Sequence, residues 1–139
     1  MGFVHAMITL SNSFDEGMAA EGLLSPELIR KTEVCALVDS GAFTLVINET
    51  LKKQLGLRVL ETTKILLADG SRQECEVVGP IDIRFKNRHT VTSSLVLPTA
   101  DEVLLGVIPL EGMDVIIDPK KQELALPPER LDMPLMIVK

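Results

Sequence analysis

The sequence predicts an all-β fold, a barrel or sandwich with few helices. Three observations carry that prediction. About eight to ten short apolar stretches follow one another, each bounded by turn residues. Few segments read as helix, and those are short. Of 139 residues, 46% are hydrophobic and 24% charged, the balance of a folded domain with one core.

The elements read in order as follows. Met7 to Leu10 is a short strand. Ser11 to Lys31 lacks a clear period and contains Gly17, Gly22 and Pro26. Within it Ser25-Pro26-Glu27 suits either one helical turn or a surface loop. Val34 to Val38 is uninterrupted and apolar, as in a strand covered on both faces. Leu45-Val46-Ile47 is a second apolar strand, after which Asn48 caps a helix that ends at Gly56. Val59 to Ala68 and Glu74 to Val78 form a hairpin around Asp69-Gly70. Gly79-Pro80 breaks the chain. Ile81, Ile83 and Phe85 alternate with Asp82, Arg84 and Lys86, and Val91 to Leu97 returns after a turn at Asn87-Arg88. Val103 to Gly106 is another buried run, with a short helix over Pro109 to Gly112. Val115–Ile117 and Leu124–Leu126 flank a turn at 118–121. Leu135 to Val138 is a last apolar strand.

Composition excludes several functions. The net charge is −6, from 20 acidic and 14 basic residues, and no basic tract is present to neutralise a phosphate backbone. The chain has no Trp or Tyr, which removes most stacking platforms for bases. Cys35, Cys75, His5 and His89 show no zinc-ligand spacing, so no metal is expected. The two cysteines read as buried small hydrophobes. No apolar run reaches the ~18 residues of a membrane span, and the N-terminal residues show no secretory pattern. A soluble cytoplasmic protein without cofactor is expected. No dinucleotide fingerprint, phosphate loop, zinc-protease or nucleophile-elbow motif is present.

Asp39-Ser40-Gly41 remains. It closes the apolar strand Cys35-Ala36-Leu37-Val38, which would deliver a carboxylate into dry surroundings. Burying a charge costs several kcal/mol unless it is paired or neutralised. Gly41 lets backbone come close, and the Ser40 hydroxyl can lock the turn. Such parts hold a carboxylate rigidly.

Leu37-Val38-Asp39-Ser40-Gly41-Ala42 resembles the active-site loop of retropepsin-like aspartic proteases, the retroviral group and its bacterial relatives. The similarity continues in order. It runs through Leu45-Val46-Ile47, a helix ending in Leu55-Gly56-Leu57, and a hairpin flap Ile65-Leu66-Leu67-Ala68-Asp69-Gly70. It then takes in Leu104-Leu105-Gly106-Val107-Ile108-Pro109-Leu110-Glu111 and Asp118 to Leu124. The resemblance covers about residues 5–126.

The resemblance implies a closed acid-protease barrel with one or two short helices, one domain over 1–139, and a tail at 127–139. It also implies a catalytic role for Asp39, Ser40 and Gly41, and peptide contacts from Ala42, Leu67, Ala68, Asp69 and Gly70. Aspartic proteolysis needs two carboxylates sharing a proton, one as base on water and one as acid on the scissile carbonyl. This chain has no second D-[ST]-G: Asp69-Gly70-Ser71 has the wrong order, and Asp118 precedes Pro119. The second carboxylate must come from a second copy, which predicts a symmetric homodimer acting on polypeptide. By the same resemblance, the Ser40 hydroxyls brace the two loops across the interface, and Leu135–Val138 suits an interface strand.

Some positions depart from the family pattern. Ser40 stands where Thr is commoner. Asp69 sits at a flap tip that is glycine-rich in retroviral members, and it should point to solvent. Val107 replaces an interface-bracing Arg. The 11–31 segment is longer than the retroviral turn. Two other readings compete with the endopeptidase: a non-catalytic dimer binding a peptide or protein in the same cleft, and a monomeric barrel in which Asp39 has no role.

Overall fold

Alternation in the first strand sets one wall of the barrel. In a computed structural model that describes residues 3–138, β1 (Val4–Asn12) turns Ala6, Ile8 and Leu10 into the core. That is the period-two pattern of a half-buried strand. Asn12 ends β1 and caps α1 (Ser13–Ala20), its side chain accepting from the Asp15 N–H at 3.1 Å. The segment expected to be irregular therefore holds a helix. Its cap and its acidic first turn, Asp15 and Glu16, are present in the sequence. Gly17 masks them, because a glycine inside the segment lowers helix propensity. Ser25-Pro26-Glu27 does begin a single 3-10 turn, Pro26–Leu28.

Strand β2 (Lys31–Val38) pairs antiparallel with β1. It is not covered on both faces: Ala36 and Val38 are buried, whereas Cys35 is exposed. Only Cys75 behaves as a buried small hydrophobe. β3 (Leu45–Ile47) is wholly buried. α2 (Glu49–Gln54) follows, with Asn48 accepting from the Leu51 N–H at 2.9 Å. Gly56 then leaves the helix at φ +62°, a left-handed conformation that favours glycine.

The hairpin is built from β4 (Arg58–Leu66) and β5 (Arg72–Phe85). Gly79-Pro80 does not end β5. The strand bulges there and changes partner, pairing with β4 before it and with β1 after it. Glycine suits the switch, because Gly79 has φ +149° and a Cβ would lie 3.2 Å from the Ser93 Cα. β6 (Arg88–Val96) returns along β5. β7 (Val103–Leu105) and α3 (Val107–Met113) come next, then a hairpin of β8 (Ile116–Asp118) and β9 (Glu123–Ala125). Three short α-helices form among the described residues, where one or two were expected.

Sheet order is β1-β2-β7-β3-β6-β5-β4, and β1 also pairs with β5. Strands β1, β2, β7, β3, β6 and β5 thus close into a barrel, and β4 stands outside as the free arm of the hairpin. Ile8, Leu10, Leu45, Ile47, Ile81, Ile83 and Leu105 fill the interior. Two pairings are parallel, β2 with β7 and β3 with β6. As a result β7 lies between β2 and β3, and the loop joining those two strands must cross over its end.

Arg88 was expected in a turn but opens β6 and is fully buried, donating from Nη2 to the Arg130 carbonyl. Arg130 in turn grips Asp114 through two bonds, at 2.8 and 2.9 Å, and the Leu135 N–H donates to the same carboxylate at 3.0 Å. Beyond that anchor Leu135–Val138 forms no strand with the other described residues. Ile137 and Val138 are 85% and 89% exposed. An isolated apolar segment has no ladder partner to satisfy its backbone, so period and hydrophobicity alone do not make it a strand. Among the described residues, no helix is long and apolar enough to cross a membrane.

Candidate active site

The loop over 39–44 is fixed from below by main-chain bonds. β2 delivers Asp39 at its end, and the Asp39 N–H donates to the Leu105 carbonyl of the parallel neighbour β7 at 3.0 Å. The Ala42 N–H donates to the Asp39 carbonyl at 3.0 Å, closing the turn. The Gly41 N–H donates to Asp39 Oδ1 at 2.8 Å. A backbone donor held two residues on fixes the orientation of the carboxylate. A Cβ on Gly41 would lie 3.1 Å from that same oxygen, so the glycine permits the close approach.

A second glycine seats the loop. Gly106 leaves β7 beneath it and is buried. A Cβ there would meet the Thr44 and Ala42 carbonyl oxygens at 2.4 and 2.5 Å and the Thr44 nitrogen at 2.8 Å. The first amides of α3 then rise to the loop: the Val107 N–H donates to the Ala42 carbonyl at 2.9 Å, and the Ile108 N–H to the Phe43 carbonyl at 3.0 Å. Thr44 and Ser94 finish the seating, donating to the Ser93 and Leu45 carbonyls at 3.4 and 3.0 Å.

Asp39 is half-buried and Ser40 exposed in the single chain, contrary to the dry environment expected. Strand β2 ends at the barrel rim, and none of the described residues covers it fully there. Ser40 makes no side-chain bond among the described residues. No three acidic, histidine or cysteine side chains among those residues gather in a metal-holding cluster. The histidines are engaged structurally: His5 with Glu102 at 2.9 Å, and His89 with the buried Asp82 at 3.3 Å. Burial pushes the Asp82 carboxyl above its ordinary range, partly opposed by His89.

Beside the loop lies a cleft of about 700 Å³, roofed by the hairpin and floored by β6. Gly41, Ala42 and Leu67 line it. Ala68, Asp69 and Gly70 form the hairpin tip outside the lining. There the Leu67 N–H donates to the Ser71 carbonyl at 2.8 Å, and the Gly70 N–H to the Leu67 carbonyl at 2.9 Å. Gly70 takes φ +86°. Asp69 Oδ1 accepts from the Ser71 hydroxyl at 2.5 Å and from its N–H at 2.8 Å, which holds the exposed carboxyl below its usual range. Asp69 therefore shapes the turn and faces solvent, as expected.

Sequence reasoning missed most of the cleft wall: Phe43, Thr44, Ile65, Val77, Leu95 and Ile108. Alternation along Val59–Ala68 offered a signal for Ile65. The contributions of β6 and α3 had none, since they depend on how distant strands close.

With this geometry in view, the relationship to known proteins is direct. The family model described as aspartyl protease matches residues 28–108, more than half of the chain, and the chain belongs to that family. The match spans Asp39-Ser40-Gly41, the hairpin and the strand leading to Gly106, the segments that carried the retropepsin-like resemblance. Among solved structures, the solution structure of the simian foamy virus (mac) protease is similar, with 22% sequence identity and a TM-score of 0.44. The alignment covers 58% of this chain and 82% of that one. Among curated proteins, none matches this chain.

Proposed function

We propose that this chain is an aspartic endopeptidase acting as a symmetric homodimer. In this reading the 139 residues form one protease domain, and Asp39 from each copy supplies half of the catalytic pair. The observation that carries the proposal is the seating of Asp39. Its carboxylate is oriented by Gly41, half-exposed at the barrel rim, and placed beside a cleft roofed by a hairpin.

Two such carboxylates about 3 Å apart cannot both ionise, so one keeps a proton. The ionised member takes a proton from water, the water attacks the scissile carbonyl, and the protonated member donates to the carbonyl oxygen. The pair titrates as a unit. Ser40, exposed beside the carboxylate, braces the partner loop in this reading. Ala42 and the hairpin residues Leu67–Gly70 hold an extended peptide as an added strand. Leu135–Val138, apolar and unpaired in the protomer, joins the interface. Free cysteines, one of them exposed, suit a reducing compartment such as the cytoplasm.

The test is Asp39→Asn in the purified dimer, assayed for peptide cleavage between about pH 4 and pH 7. Loss of a positioned acid–base group should lower turnover at least about a hundredfold. Cleavage surviving the change would refute the mechanism. A stable monomer at micromolar concentration would favour the binding-module reading.

A further inference from the structure

We propose, resting on the endopeptidase reading, that Glu61 selects substrates carrying a lysine or arginine at a position remote from the scissile bond. Glu61 lies on β4, toward the base of the hairpin, and lines the cleft. Strand alternation places it on the same face as Thr63, Ile65 and Leu67. The half-buried state of those three, against exposed Thr62, Lys64 and Leu66, identifies this face as the inner one.

The carboxylate has no counter-charge there. Glu61 stands opposite Val77 on β5, and Val77 stands opposite Leu95 on β6, so its cross-strand neighbours are apolar. No ion pair involves Glu61 among the described residues. Lys64, the other charged lining residue, lies on the outer face by the same alternation. In the strand register it stands across from Glu74, away from Glu61. The remaining lining side chains are apolar or bear hydroxyls. Glu61 is thus the one carboxylate lining a cleft that otherwise offers aliphatic walls, and it is accessible to an incoming cation. An exposed ion pair of this kind contributes modestly, so the expected discrimination is about two- to five-fold.

The experiment is a competition within one reaction. A peptide mixture from a digested proteome is offered to the dimer near neutral pH and about 50 mM salt, where exposed charges are least screened. Residue frequencies around each cut are read by mass spectrometry. Wild type should enrich Lys and Arg about two- to five-fold at one remote position. Glu61→Gln should abolish that enrichment while the apolar preference next to the cut persists, and Glu61→Lys should replace it with Asp and Glu. No basic enrichment in the wild type, or enrichment unchanged in Glu61→Gln, would overturn the proposal. If wild type cuts nothing, the endopeptidase reading fails separately. The subsite is then decided by retention of the same mixture on immobilised Asp39→Asn protein. Basic peptides held by Asp39→Asn and lost from Asp39→Asn/Glu61→Gln support it, and equal retention refutes it.

Discussion

Gly106→Ala gives the most direct test of how the fold supports Asp39. The added methyl would meet three main-chain atoms of the 42–44 segment, all closer than 3.0 Å. None belongs to a flexible side-chain end, so the backbone itself must move. Overpacking of this kind costs about 1–3 kcal/mol. The shift also weakens the bonds from Val107 and Ile108 to the Ala42 and Phe43 carbonyls, each contributing roughly 0.5–1.5 kcal/mol. Together the loss should reach about 2–6 kcal/mol. At about 4 °C per kcal/mol for a domain of this size, the midpoint of thermal unfolding should fall by about 8 °C or more. Activity should fall further than stability, because the displaced atoms carry the loop that aims Asp39. The measurements are thermal or urea unfolding and peptide cleavage well below the midpoint. Wild-type stability together with wild-type turnover would refute the claim that Gly106 seats the loop by having no side chain.

Three further outcomes follow from named contacts. The Asp114 carboxyl is held down to about 2 by the Arg130 guanidinium, with help from the Leu135 N–H. A carboxyl depressed in the folded state stabilises above its unfolded range and loses that contribution as pH falls from about 4 toward 2. Wild type should therefore show an acid-labile step in this window that Asp114→Asn lacks, and amide exchange over 128–138 should be faster in the variant at neutral pH. Gly56→Ala should cost about 1–2 kcal/mol from its left-handed backbone. It should also push Arg30 from Asp15, since a Cβ would fall 1.8 Å from Arg30 Nη1. In an Arg30→Ala background the clash term should vanish, leaving a non-additive double-mutant cycle by urea unfolding. Truncation before Pro127 should weaken dimerisation at least about tenfold by sedimentation; unchanged assembly would remove Leu135–Val138 from the interface.

The strand-rich character and most elements were legible because turn chemistry and period are local. Asn48 capping α2, Gly56 ending it and Asp69-Gly70 at the hairpin tip each act through their own backbone. α1 was hidden because Gly17, inside it, obscured the helix that Asn12 caps. The break expected at Gly79-Pro80 became a change of partner, which depends on β1 lying alongside. The apolar tail promised a strand, but a strand needs a neighbour, and the described residues supply none. Cys35 sits in an apolar run yet faces outward, because only one side of β2 meets the core.

At the candidate site the division is sharper. The order Asp39-Ser40-Gly41 and the lack of a second such triplet in these 139 residues are properties of the sequence, and the expectation of a second copy rests on them. The sequence also determines that Gly41 admits its amide to Asp39, since that contact spans two residues. Only the tertiary structure decided that Gly106 lies beneath the loop, that α3 amides bind the Ala42 and Phe43 carbonyls, and that Phe43, Ile108 and Leu95 share one cleft with Glu61. Those contacts join segments about 15 to 65 residues apart. They arise because β7 inserts in parallel beside β2, a choice made by closing the barrel around its core rather than by any local run of residues.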